Sequence, residues 1–306
     1  MKILVIGSGG QLGQEFFKLE TAHELIPLAH AQVEVKDPAA VRACLQKHRP
    51  EAVINLASFN LVDAGEDQPE PAFTVNALGA LHVARAAKEV GAAAVFISTD
   101  YVFGGESGRR RPYCESDPPA PLNVYGASKL AGEYLVRLSN PRHFIIRTCG
   151  LYGAATSHKG WTFPELMLRK AKAGEKLRVV NDQTLTPTYT SDLVRAILAV
   201  IEKGKPGTYH LTSAGECSWY EFAKTTLELA GVQADLEPVS SSEFGAKALR
   251  PAYSVLESER LAELGLAALR PWPEALRAYL VEKGEVPKTT RAGQGRGPAR
   301  TGEVPD

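Results

Sequence analysis

Lys2-Ile-Leu-Val-Ile-Gly7-Ser-Gly-Gly10-Gln-Leu-Gly13 is the stretch that decides the fold of this 306-residue chain. The apolar run over residues 2–6 stops at Gly7, and residues 11–19 have helical character, so the stretch predicts a strand, a turn and a helix. Glycines at this spacing permit a tight turn, close approach of the backbone to a pyrophosphate, and close packing of the helix. We therefore predict a dinucleotide-binding turn; the plainer alternative is a tight turn that binds nothing.

Four further apolar runs, separated by helical stretches, lie at 24–28, 52–57, 93–98 and 143–147. This alternation predicts an α/β fold with a Rossmann-like, doubly wound parallel sheet. After residue 150 the pattern loosens, which we interpret as the start of a smaller C-terminal substrate-binding lobe.

Domain limits follow from the same pattern. We expect a dinucleotide-binding domain over 1–150, to which 187–212 return, and a substrate-binding lobe formed by 151–186 and 213–284. Residues 286–306 are poor in apolar side chains and show no period, so they predict a disordered tail.

Composition limits the classes of function. With 35 basic and 35 acidic residues the formal net charge is zero, so the chain has no broad field for nucleic acid or an anionic membrane, and a small-molecule partner is favoured. No charged leader or long apolar run precedes the first predicted strand, which favours a cytoplasmic protein. His158 and His210 lack partners at metal-ligand spacing, and we expect no metal. The widely spaced cysteines predict reduced thiols: Cys44, Cys114, Cys149 and Cys217.

The chemistry is indicated by Tyr125-Gly-Ala-Ser-Lys129. A helix places residues four apart on one face, so the Lys129 ammonium is expected to favour the ionised Tyr125 phenol and lower its pKa. Thr99 leaves the fourth predicted strand at the edge where ligands bind in such sheets, and it would polarise the same carbonyl. These residues predict a nicotinamide-dependent carbonyl reaction with tyrosine as the proton donor or acceptor. The alternative is an ordinary tyrosine and lysine on a partly exposed helix.

Nucleotide choice is expected at the end of the second predicted strand, where the chain has Leu28-Ala-His30 instead of an acidic residue. An imidazole without a carboxylate suits the phosphorylated cofactor, so we expect NADPH, with NADH left open. Glu34 lies nearby and could serve the ribose instead, and His30 could equally be a solvated loop residue.

The motifs together resemble the extended short-chain dehydrogenase/reductase family, and more narrowly the dTDP-4-dehydrorhamnose reductases. The likeness extends to about Leu280. It rests on Gly10-Gln-Leu-Gly13, Val62-Asp63 with Glu66-Asp67, Ser98-Thr-Asp-Tyr-Val-Phe-Gly104, Ala120-Pro-Leu-Asn-Val-Tyr-Gly126 with Ser128-Lys129, Arg147-Thr148, Asn181-Asp-Gln183 and Pro187-Thr188.

The resemblance implies reduction of the 4-keto group of a dTDP-linked 4-keto-6-deoxysugar, turning dTDP-4-dehydro-L-rhamnose into dTDP-L-rhamnose, and it leaves a homodimer open. The implied catalytic residues are Thr99, Tyr125 and Lys129. The residues expected to bind the cofactor are Gly7, Gly10, Gln11, Leu12, His30, Ala57, Ser98, Tyr125 and Lys129. Those expected to bind the substrate are Val62, Asp100, Tyr101, Phe103, Asp182, Gln183 and Arg250.

Two details bear on the reaction. Sugar-nucleotide dehydratases of similar fold carry an acidic pair after the threonine, whereas Asp100 is followed here by Tyr101, which favours simple reduction. Gly150 stands where some of the resembling reductases carry a tryptophan, and residues 184–186 also differ, so the exact sugar stays open. An epimerase, a reductase of another nucleotide sugar and a non-catalytic dinucleotide-binding regulatory subunit remain as alternatives.

Overall fold

The computed structural model describes residues 1–155 and 160–287. His158 and almost all of the predicted tail lie outside the described residues. The strands are β1 (Lys2–Ile6), β2 (Glu24–Leu28), β3 (Ala52–Asn55), β4 (Ala93–Thr99), β5 (His143–Thr148), β6 (Leu151–Tyr152), β7 (Leu177–Val180), β8 (Thr184–Leu185), β9 (Thr188–Tyr189), β10 (Gly207–His210), β11 (Cys217–Ser218) and β12 (Leu236–Val239).

The helices are α1 (Gln11–Phe16), α2 (Pro38–His48), α3 (Val62–Asp67), α4 (Pro69–Phe73), α5 (Ala80–Glu89), α6 (Val124–Ser139), α7 (Phe163–Lys172), α8 (Thr190–Lys203), α9 (Trp219–Leu229), α10 (Ser241–Phe244), α11 (Arg260–Glu263) and α12 (Trp272–Glu282). A π-helical stretch, Thr74–Gly79, joins α4 to α5, and a 3₁₀ turn, Asp100–Val102, follows β4.

Six parallel strands form the central sheet in the order β2-β1-β3-β4-β5-β10. All seven residues of β4 are buried, because helices cover both faces of a parallel sheet. The order reverses direction at β1, which leaves a crevice between the carboxyl ends of β1 and β3, where ligands bind in folds of this type. The predicted doubly wound α/β sheet is confirmed.

Successive residues of each strand point to opposite faces of the sheet, and two hydrophobic clusters follow from that period of two. Ile3 and Val5 of β1 pack in the cluster that contains α8, whereas Leu4 and Ile6 pack in the cluster that contains α2 and α5. Residues of α8 therefore pack in the first of these clusters, against the central sheet.

A third cluster lies among the elements after residue 150. It is centred on aromatic rings, with Tyr152 5.3 Å from Phe222 and 5.2 Å from Tyr279 between ring centroids. Leu261 and Leu269, which the sequence assigned to the lobe, pack instead with the cluster of the central sheet. The domain limits remain a prediction.

Within the described ranges, no helix is long and apolar enough to cross a lipid bilayer.

Candidate active site

The glycine-rich turn joins β1 to α1 with very little space inside it. Gly7 has φ +84°, a conformation that favours glycine, and its N–H donates to the Leu28 carbonyl at 2.8 Å. A Cβ on Gly13 would lie 2.5 Å from the Gly7 carbonyl oxygen, so any side chain there would push α1 off the turn. Gly9 has open space around it, and the N-cap Gly10 brings no capping side chain. The start of α1 therefore suits a phosphate group held by backbone N–H groups.

Other predicted cofactor residues flank this turn. A Cβ on Gly7 would lie 3.3 Å from the backbone nitrogen of Ala57, so the turn and the end of β3 form the two walls of the crevice. The Gln11 amide donates to the Gly153 carbonyl at 3.4 Å. The Leu12 side chain packs in the core below the sheet, so only its backbone is left to meet a cofactor.

His30 lies just after β2, whose last residue, Leu28, bonds the glycine turn. Its side chain is 83% exposed, and its Nε2 lies 3.6 Å from the Glu34 carboxylate. His30 and Glu34, the two residues that the sequence proposed for nucleotide choice, therefore lie next to each other after β2.

Tyr125 lies in the first turn of α6, and several groups fix the position of that turn. The Asn123 side chain accepts from the Gly126 N–H at 2.8 Å, and the Glu66 carboxylate of α3 accepts from the Val124 N–H at 2.8 Å. A Cβ on Gly126 would lie 2.1 Å from the Tyr101 carbonyl oxygen, so only glycine lets α6 approach the 3₁₀ turn this closely.

The Tyr125 phenol lies near the hydroxyls of Thr99 and Ser58, and both hydroxyls favour its ionised form. Burial raises the pKa of Tyr125 to about 12, and the two hydroxyls only partly oppose that rise. The prediction that Lys129 lowers the pKa of Tyr125 towards neutrality is therefore wrong, because burial of the phenol raises its pKa more than the neighbouring hydroxyls lower it.

Lys129 contacts the backbone and a ring of β4. Its Nζ donates to the Ile97 carbonyl at 2.5 Å and lies 4.1 Å from the centroid of the Phe96 ring. Burial lowers the pKa of Lys129 to about 7, against the opposing effect of the Glu133 carboxylate. The spacing of four correctly put Lys129 and Tyr125 on one helix, but it did not identify the lysine's partners.

Ser98 was predicted to bind the cofactor, yet its hydroxyl points into a buried ion pair. Ser98 Oγ donates to Glu133 Oε1 at 2.5 Å. Arg147 donates to both oxygens of Glu133, through Nε at 2.9 Å and Nη2 at 2.7 Å. The Ser98 hydroxyl proton is therefore donated to Glu133, and the predicted contact of Ser98 with the cofactor stays a prediction.

Tyr101 lies beside the Tyr125 ring, and Arg250 contacts Tyr101; the substrate roles of both residues stay predictions. The Tyr101 ring meets the Tyr125 ring edge to face, with centroids 6.0 Å apart, and Arg250 hydrogen-bonds Tyr101. Arg250 is in turn held by Asp63, at 2.8 and 3.2 Å, and Asp63 follows Val62 on α3.

Four other predicted substrate residues are engaged by the protein. Phe103 is fully buried, with its ring stacked 4.2 Å from that of Tyr113, and its predicted contact with substrate is not favoured by this position. Asp182 and Gln183 both bond Ser241 at the start of α10. The carboxyl oxygens of Asp100 contact Thr99 and Ser254, and the residue is 4% exposed. The substrate roles of Asp100, Asp182 and Gln183 stay predictions that these contacts do not favour.

Sequence reasoning missed Ser58 and Ser254, and it named Glu66 only as part of a family motif, without its contact. Ser58 could have been found, because it follows β3 at the same edge of the sheet as Thr99. Glu66 and Ser254 act on groups 58 and 154 residues away, and no local pattern marks such partners. In the part of the chain that the structure describes, no group of three or more His, Cys, Asp or Glu side chains could hold a metal ion.

Comparison with known proteins gives the family. The model of the RmlD substrate binding domain matches residues 1–284. The spore coat polysaccharide biosynthesis protein SpsK of Bacillus subtilis is 41% identical over 284 residues, which cover 92% of this chain and 98% of that protein. The dTDP-4-dehydrorhamnose reductase of Mycolicibacterium smegmatis is 38% identical over 280 residues, covering 90% of this chain and 84% of that protein.

A solved structure supports the same grouping. The dTDP-4-dehydrorhamnose reductase of Bacillus anthracis in complex with NADP superposes with a TM-score of 0.88 at 37% identity, and the match covers 92% of this chain and 99% of that one. The family resemblance stated from the motifs is confirmed. This chain belongs to the RmlD substrate binding domain family.

Proposed function

We propose that this protein is an NADPH-dependent oxidoreductase that reduces the 4-keto group of dTDP-4-dehydro-L-rhamnose to give dTDP-L-rhamnose. The observation that carries the proposal is the pair of hydroxyls, from Thr99 and Tyr125, brought together at the carboxyl edge of the sheet beside the glycine turn. The names of the two reductase relatives, and the NADP in the solved structure, support the substrate and the cofactor.

The glycine turn, Ala57 and the start of α1 would hold the dinucleotide, which supplies the hydride when bound. His30 would receive the 2′-phosphate, since residue 30 is an imidazole where an acidic residue would hold the ribose hydroxyls, although the Glu34 carboxylate lies 3.6 Å from it. Lys129 lies one helical turn beyond Tyr125 and would contact the nicotinamide ribose.

Tyr125 would give its proton to the sugar oxygen as the carbonyl is reduced. A pKa raised to about 12 by burial keeps the phenol protonated near neutral pH, which is the form a reductase needs. The Ser58 hydroxyl can donate to the phenolate left behind, and the single Thr99 hydroxyl proton would be donated to the carbonyl oxygen and increase its polarity. Tyr101 and Arg250 would position the nucleotide sugar against this pair.

The test is loss of reduced-nicotinamide absorbance with purified protein, NADPH or NADH, and enzymatically prepared dTDP-4-dehydro-L-rhamnose. We expect turnover with a preference for NADPH and with dTDP-L-rhamnose as product. Tyr125→Phe should bind NADPH normally and lose about 10²- to 10⁴-fold in kcat, because the general acid is removed. Unchanged turnover of this variant would contradict the assignment of Tyr125.

A reductase of another nucleotide sugar is the second candidate, and Gly150 favours it. Gly150 has φ +53°, and a Cβ there would lie 3.0 Å from the Leu185 side chain and 3.2 Å from Pro187 Cα. The chain therefore packs Leu185 and Pro187 against a position where some of the resembling reductases carry a tryptophan. Binding of NADPH without turnover of dTDP-4-dehydro-L-rhamnose, followed by turnover of a different keto-sugar, would select this candidate.

The homodimer stays a prediction, which the molar mass from light scattering would decide.

A further inference from the structure

The Asp100 carboxyl group lies buried behind the two catalytic hydroxyls. Its Oδ1 is 3.1 Å from Thr99 Oγ1, and its Oδ2 accepts from Ser254 Oγ at 2.6 Å. The Cys149 thiol is a third hydrogen-bond partner. This carboxyl group belongs to a residue that is 4% exposed, and it contacts the hydroxyl on which the proposed reaction depends.

The hydrogen bonds of Thr99 can be counted. A threonine hydroxyl has one proton to donate and two lone pairs that accept. Thr99 Oγ1 accepts from the Tyr101 N–H at 3.2 Å, which uses one lone pair. One lone pair and one proton remain, and they must be shared between Asp100 on one side and Tyr125 with the sugar carbonyl on the other.

An ionised Asp100 would direct the remaining lone pair and proton of Thr99 unfavourably for the reaction. A carboxylate can only accept, so Thr99 would donate its proton to Asp100. The remaining lone pair would then accept the Tyr125 proton. Both protons needed by the sugar oxygen would be directed away from it.

A neutral Asp100 would reverse the direction of these bonds. Its acid proton would be donated to Thr99 and would fill the second lone pair. The Thr99 proton could then only point outwards, to the carbonyl oxygen or to Tyr125, and the Tyr125 proton would be free for transfer.

We propose that Asp100 is a positioning residue whose acid proton orients the Thr99 hydroxyl, so that the protein reduces its substrate only while Asp100 is neutral. This inference rests on the proposed function, because it concerns which protons reach the ketone.

Burial is the largest influence on the Asp100 carboxyl group. Burial raises the pKa of Asp100, and the hydrogen bonds from Ser254, Cys149 and Thr99 oppose that rise. The titratable groups that face it are Tyr101 on its own turn, Cys149 after β5 and Tyr125 on α6, and burial raises the pKa of each of the three.

The cations near this site are engaged elsewhere. Arg250 reaches Tyr101 and is paired with Asp63, while the Lys129 ammonium donates to the Ile97 carbonyl. A carboxylate at position 100 would therefore receive little of their charge.

The first experiment needs no turnover. Infrared difference spectra of the cofactor-free protein, wild type minus Asp100→Asn, should show the C=O stretch of a protonated carboxylic acid near neutral pH. Carboxylate bands in its place would overturn the inference. Because no substrate is used, this result stands even if the proposed reaction fails.

The second experiment is the pH profile of kcat with saturating NADPH and substrate. Wild-type kcat should fall as pH rises through the pKa of Asp100. Asp100→Asn keeps an N–H donor towards Thr99 and an oxygen towards Ser254, and it cannot ionise. This variant should therefore stay active and lack the fall of kcat at high pH, which is the alkaline limb of the profile. Any limb due to Lys129 should remain in the variant, and a variant profile identical in shape to the wild type would overturn the inference.

Ser254→Ala provides a variant that leaves Asp100 in place. Removing a hydrogen bond that stabilises the carboxylate should move the alkaline limb about one to two pH units higher. A purely structural role for Asp100 would lower kcat or stability by the same factor at every pH. A limb that stays in place or moves to lower pH would contradict the proposal, whether or not Asp100→Asn folds.

Discussion

Two buried polar groups of this molecule lie on the same strand and the same helix, yet they differ in kind. Ser98 of β4 and Glu133 of α6 meet in an ion pair with Arg147, in which every proton has one evident place. One residue further along β4, Thr99 meets Tyr125 of α6 and Asp100 in a set of groups that can share their protons in two ways. The comparison suggests that a buried network serves structure when its hydrogen bonds are unambiguous, and serves chemistry when a proton is left to move.

The largest expected effect comes from breaking the ion pair. Arg147→Ala leaves the Glu133 carboxylate buried without its cation and should lower the free energy of unfolding by about 3–5 kcal/mol, measured by urea denaturation. The matched control is Glu133→Leu with Arg147→Met, which removes both charges and should be close to wild type in stability. A single variant as stable as the double would show that the charges are not coupled.

Thr99→Val breaks the other network. The valine has the same shape but no hydroxyl, and it should reduce kcat by about 10²- to 10³-fold, the usual cost of losing one donor to a developing oxyanion. Thr99→Ser restores the hydroxyl and should recover most of the rate. Steady-state kinetics at several pH values checks both variants, and wild-type kcat in Thr99→Val would remove Thr99 from the mechanism.

Ser98→Ala sharpens the contrast between two adjacent residues. Losing a hydrogen bond to a charged, buried carboxylate should cost about 1.5–3 kcal/mol of stability, while the Kd for NADPH stays unchanged. Thermal unfolding and fluorescence titration measure the two quantities. Weaker NADPH binding with unaltered stability would instead support the cofactor role predicted from the sequence.

The smallest effect concerns the dependence of stability on pH. Burial lowers the pKa of Lys129 from its ordinary 10.5 to about 7. Between these values the unfolded chain binds more protons than the folded protein, so stability should rise with pH, by up to about 1.4 kcal/mol per unit. Lys129→Met should lack this rise when the cofactor-free proteins are compared by urea denaturation at pH 7 and 9. Parallel curves for the two proteins would mean that the lysine keeps its ordinary pKa.

The sheet could be predicted because its signals are local. The apolar runs predicted the first residue of each strand from β1 to β5 correctly. At Gly7, Gly13 and Gly126 the backbone has a conformation or a close contact that only glycine permits. The helix α1 ends at Phe16, three residues before its predicted end. Apolar residues continue the pattern there, so periodicity alone could not mark the end of the helix.

Partners could not be predicted with the same success. Spacing placed Lys129 and Tyr125 on one helix, but burial and the Ile97 carbonyl decided where the ammonium lies. Phe103 belongs to a motif of the family, and nothing in the motif distinguishes a ring that packs in the core from one that meets a sugar.

The helix that carries Tyr125 is anchored from distant parts of the chain. At the start of this helix Asn123 donates to the Leu249 carbonyl, and in the neighbouring 3₁₀ turn Asp100 accepts from Ser254, so both partners lie far beyond residue 150. During synthesis the N-terminal half, with Thr99, Tyr125 and Lys129, would emerge from the ribosome before the residues that make these contacts. We expect catalytic competence to arrive only with the last part of translation, which would keep an incomplete nascent chain from consuming reduced cofactor.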